Sequence, residues 1–99
     1  MWIEAITVRT PRTMRPLDIL EEVKTLWEQE GAAPRPDIFT GYQNLDVENE
    51  ISIRLTWEET RQPPGQTTWG VLIARHLERH GLVRHTLWQR SICSTERQV

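Results

Sequence analysis

The side chains best suited to chemistry are three histidines set close together late in a 99-residue chain, His76, His80 and His85. An imidazole titrates near neutrality, so each can move a proton or ligate a metal ion. His76 and His80 are four residues apart, which on a helix places both rings on one side, within reach of one zinc or iron ion, with His85 entering from the following strand. Against such a site, no Asp or Glu shares that helix face to complete or orient the ligands, and Gly81 turns the chain away after His80. The expectation is therefore no metal. In that case His76 edges an apolar stripe, and His80 sits at a helix C-terminus, where its positive form is favoured.

His85, within GLVRHTLW at 81–88, is the candidate catalytic residue. Pointing from a strand into a cavity, it is a general base for the proton of a phenolic substrate. Pointing the other way, it is a core histidine bonded to backbone or hydroxyl, and the general scarcity of catalytic residues favours this second role. Val83 and Leu87 share its face, whereas Arg84, Thr86 and Trp88 share the other, and alternation alone does not say which face meets the helices. Arg54 raises a related question. If its face is enclosed, the guanidinium needs an anionic neighbour, Glu4 or Glu58, or an anionic ligand; the internal ion pair is the favoured alternative, because enclosed charges are usually paired. A Gly-rich phosphate loop, a Ser-His-Asp pattern and a Cys-x-x-Cys motif are all missing, and Cys93 in a polar tail is a poor nucleophile.

These residues must be positioned by a regular series of elements. WIEAITVR at 2–9 is β-branched and apolar and stops at Thr10-Pro11, as a strand would. Pro16 opens a helix over about 16–30, with Leu17, Leu20, Val23, Leu26 and Trp27 at helical spacing and Gly31 as its C-terminal cap. Residues 37–44 are a weaker strand, interrupted by Gly41. ISIRLTWE at 51–58 alternates cleanly, Ile51, Ile53, Leu55 and Trp57 against Ser52, Arg54, Thr56 and Glu58. After Pro63-Pro64-Gly65, Thr67 or Thr68 caps a second helix with Trp69, Leu72, Ile73 and Leu77 on its apolar side, ended by Gly81. The last strand runs from there to about 90, leaving 91–99 as a frayed tail.

The order β-α-β-β-α-β predicts one ferredoxin-like domain over 1–90, α+β in class, with a four-stranded antiparallel sheet and two helices on one face. Such a sheet should be polar on its other face, yet the first strand is apolar on both, Trp2, Ile6 and Val8 against Ile3 and Ala5, and so is the last, Val83 and Leu87 against Leu82 and Trp88. The second face needs a cover, and a twin subunit is the simplest one. Five tryptophans in 99 residues also demand large buried surfaces. Net charge is −2 and the arginines are scattered, so a nucleic-acid partner is not expected. The absence of a membrane-length apolar run or a signal-peptide pattern, and a lone cysteine, make the default a cytoplasmic protein without membrane contact.

The element order, Trp57-Glu58 closing the third strand, Thr67-x-x-Gly70 opening the second helix, and the GLVxHTxW segment resemble small dimeric α+β barrel proteins of the antibiotic biosynthesis monooxygenase-like group. The resemblance implies a homodimer joined through its sheet faces, with a cavity in each subunit. Some members oxidise quinol-like aromatics without a cofactor, and others bind haem; haem-degrading members use a helix histidine with a neighbouring Asn and Trp. No Asn accompanies His76 on its helix, so that role does not transfer and no cofactor is expected. The cavity would be lined by Arg54, Thr56, His85 and Trp88 and would take a small aromatic or apolar ligand. Two functions follow: a cofactor-independent monooxygenase-like enzyme, or a non-catalytic small-molecule-binding or assembly module of the same fold.

Overall fold

The computed structural model describes residues 1–58, 63–92 and 94. Its elements are β1 (Trp2–Arg9), α1 (Pro16–Gln29), β2 (Ile38–Gln43), β3 (Glu50–Trp57), α2 (Thr68–Leu77) and β4 (Leu82–Gln89). The strands form one antiparallel sheet in the order β2-β3-β1-β4, the arrangement expected for a ferredoxin-like chain. Cys93 and most of the tail after it lie outside the described residues.

Alternation divides the sheet into two faces. In β1, Trp2, Glu4, Ile6 and Val8 turn to the helices, and pairing carries that face into β3 as Trp57, Leu55, Ile53 and Ile51. Ile6, Val8 and Leu55 are completely buried in one cluster with Ile19 and Val23 of α1 and Trp69, Ile73 and Leu77 of α2. Burying large aliphatic and aromatic side chains contributes about 1.5–3 kcal/mol apiece, which makes this layer the main source of stability.

The buried stripe of α1 is Ile19 and Val23, continued by the half-buried Leu26 and Trp27 at the i, i+4, i+7, i+8 spacing of a helix face. Leu17, expected on that stripe, is 55% exposed, because it lies two residues, or about 200° around the helix, from Ile19. Gly31 and Gly81 also differ from expectation. Among the described residues no glycine has a positive φ, so neither is a left-handed helix cap. Arg35 instead closes α1, donating to the carbonyls of Trp27 and Glu30 while its guanidinium lies 4.1 Å from the centre of the Trp27 ring. Gly81 serves a close approach: a Cβ there would meet the Arg9 carbonyl oxygen at 2.0 Å, where β4 joins the end of β1.

Candidate functional site

Glu4 is a carboxylate with no exposed surface, in the middle of the helix-covered face. One oxygen, Oε1, accepts from the Thr67 hydroxyl at 2.6 Å and from the Trp57 indole N–H at 3.4 Å. The other, Oε2, accepts from the Thr67 backbone N–H at 2.9 Å and lies 2.7 Å from His85 Nε2. A carboxylate offers about four lone-pair positions, and these four partners use them. Thr67 is also the N-cap of α2, its hydroxyl accepting from Gly70 N–H, so Glu4 occupies the positive end of that helix. Gly70 leaves the space: a Cβ there would fall 1.8 Å from Glu4 Oε2. Trp57, Thr67, Gly70 and His85, drawn from three separate sequence motifs, thus converge on one buried carboxylate.

This placement agrees with the favoured reading of His85 as a core histidine, though its partner is a carboxylate in place of backbone or hydroxyl, and it corrects the candidate role of a general base facing a cavity on the uncovered side. The register pairs His85 with Ile6, which puts its ring on the helix side of the sheet. Its polar contact is Glu4, and Arg54, Thr56 and Trp88 lie on the opposite face. For the same reason Glu4 is no partner for Arg54, and among the described residues neither Glu4 nor Glu58 forms an ion pair with it.

The opposite face carries an open concavity of about 650 Å³. Ile3, Ala5 and Trp88 supply its apolar wall, Thr7, Ser52 and Thr86 its hydroxyls, and Arg54 and Arg84 its charges. No acidic residue among those described lines it. Arg54 lies 4.8 Å from the Tyr42 ring centre, a cation–π contact, and among the described residues its charge has no counterion. Trp88, 62% exposed, donates its indole N–H to the Thr86 hydroxyl at 2.9 Å. Thr56 shares this face, opposite Ile3 and Ile38, but it is buried and does not line the concavity. Arg84 was not among the expected ligand-binding residues; its position two residues before Thr86, on the face of Trp88, is the signal that points to it.

A second polar cluster lies in the helix layer. His76 Nε2 and His80 Nε2 stand 3.0 and 2.9 Å from the same oxygen, Glu22 Oε1, and the two rings meet edge to face at 5.8 Å. The expectation that no acid completes the His76–His80 pair is overturned, because the acid comes from the other helix. Burial acts to raise the Glu22 pKa, but hydrogen bonds to His80 and His76, together with their positive charge, outweigh it and hold the carboxyl below its ordinary value.

No protein-family model matches the chain, and no curated protein matches it significantly. Among solved structures it is similar to a crystal structure at 1.40 Å resolution of a putative antibiotic biosynthesis monooxygenase from Deinococcus radiodurans. The superposition gives a TM-score of 0.58 at 13% identity and covers 99% of this chain and 100% of the other. The fold resemblance drawn from the motifs is therefore correct over the whole domain; at this identity the likeness is one of fold.

Proposed function

We propose that the chain works as a homodimer whose uncovered sheet faces meet and hold a small anionic aromatic ligand between them. The observation that carries this reading is the pair of arginines, Arg54 and Arg84, without carboxylate partners among the described residues, in a concavity otherwise made of apolar walls and hydroxyls. Two cations enclosed by a second subunit need an anion to offset their desolvation. A carboxylate or phenolate on an aromatic ring supplies the anion and fills the apolar wall beside Trp88. Binding is favoured over turnover because no carboxylate or imidazole among the described residues lines this concavity to act as a base.

A second reading, cofactor-independent oxidation of a phenol or quinol, has one observation in its favour. Two guanidinium groups would stabilise a phenolate electrostatically, its proton passing to solvent water, and the electron-rich ring would then be oxidised by O2, which takes up the electrons. The test begins with light scattering, where a dimer of the 11.7 kDa chain is expected and a monomer at micromolar concentration sinks the proposal. Calorimetric titration of the protein with 2-naphthoate should show saturable binding. Because a hydrogen bond to a charged group contributes about 1.5–3 kcal/mol, Arg54→Ala should weaken that binding by about tenfold or more. Equal binding by wild type and variant removes the anion site. Oxygen uptake with a naphthoquinol separates the two readings, none being expected of a binding module.

A further inference from the structure

The outer surface of the helix layer carries an arrangement unrelated to the sheet-face pocket. Glu22 projects from α1, and His76 and His80 lie one turn apart at the end of α2 and just beyond it. One ligand atom from each lies within 4.8 Å of the other two. The histidine side chains are only 19% and 14% exposed, whereas Glu22 is 44% exposed and opens the cluster to solvent. Both imidazoles turn Nε2 to a single carboxylate oxygen, so the three donors converge on one point and do not pair off separately.

We propose that Glu22, His76 and His80 bind one divalent transition-metal ion of the zinc class, which fastens α1 to α2. The donor set selects the ion. Two imidazoles and one carboxylate suit Zn²⁺, Co²⁺, Ni²⁺ or Cu²⁺, while Mg²⁺ and Ca²⁺ require oxygen ligands throughout. Tetrahedral zinc bonds of about 2.0–2.2 Å set ligand atoms somewhat over 3 Å apart. The carboxylate oxygen already stands at 3.0 and 2.9 Å from the two nitrogens, and the nitrogens, within 4.8 Å of each other, reach that spacing by side-chain rotation as the ion enters. Both Nε2 atoms must present a lone pair, so each ring carries its remaining proton on Nδ1 and any proton on Nε2 leaves with binding. Water completes the shell on the solvent side.

The metal's contribution is mechanical: it bridges α1 and α2, residue 22 to residues 76 and 80. The full chain, stripped with chelator, should bind one Zn²⁺ per chain in calorimetry and melt at a higher temperature with the ion present. His76→Ala, His80→Ala and Glu22→Gln should each weaken Zn²⁺ by at least about tenfold, since even an outer-shell change costs 10–100-fold in affinity. Each variant should keep the wild-type far-ultraviolet dichroism. Co²⁺ should give the strong visible absorption of a four- or five-coordinate site, Mg²⁺ should show no heat, and Cys93→Ser should leave binding unchanged. Absence of saturable Zn²⁺ binding, or equal binding by the His76→Ala/His80→Ala double variant, overturns the proposal. Loss of binding in Cys93→Ser overturns it as well, by placing the ion elsewhere.

Discussion

Glu4 shows what a single residue does in this fold. It is wholly enclosed and matched by four contacts from three residues, so its removal leaves the Trp57 and Thr67 donors and His85 without that acceptor. Breaking a buried ionic network from one side costs about 3–5 kcal/mol, and Glu4→Ala should lose that much in urea denaturation. His85→Ala should also lower stability while leaving the proposed dimer and any ligand on the sheet face in place; abolished ligand binding with unchanged stability would contradict its position under the helices. The sequence shows which residues share a face with His85 but not which face that is, because alternation has no absolute phase. Pairing with Ile6 sets that phase, and it becomes known only once β4 docks on β1. The partnership of Glu22 with His76 and His80 was hidden for a similar reason: its members are 54 and 58 positions apart, and no local period joins them.

The elements themselves were far more legible. Strand β1 was read with its observed limits and β3 to within one residue, because β-branched runs and turn residues mark such segments locally. The cap of α2 was legible as Thr67 or Thr68, of which Thr67 takes the place, but its second task of holding Glu4 was not. That task makes the approach of α2 to β1 a tight one. Gly70→Ala places a methyl group on the Glu4 carboxylate and should destabilise by about 3–5 kcal/mol, the cost of forcing a buried charge from its partners. Trp57→Ala removes a ring that is 3% exposed and stacked on Trp2 at 5.8 Å. A loss of about 3–5 kcal/mol in thermal or urea melts is expected. In both variants a melting curve identical to wild type would mean that the helix layer packs otherwise.

For the whole molecule, the uncovered face matters most. Ile38, Tyr42, Leu82 and Trp88 all lie on it and are between 46% and 83% exposed. A specific dimer buries about 1,200–2,000 Å² in total, and a face of this composition provides a place for it. Trp88→Glu should shift light scattering towards monomer while circular dichroism stays native; a variant that remains dimeric would place the contact elsewhere. The Glu4 hub has a consequence of another kind, in the time order of folding. Its partners lie 53, 63 and 81 residues further along the chain. Closing such loops costs entropy before any contact returns free energy, so the hub should assemble after the rate-limiting barrier. Glu4→Ala should then leave the refolding rate nearly unchanged and place its effect on unfolding, which stopped-flow chevrons would resolve. On the ribosome, the Glu4 carboxylate would lack its full set of partners until His85, 81 residues further along, had emerged.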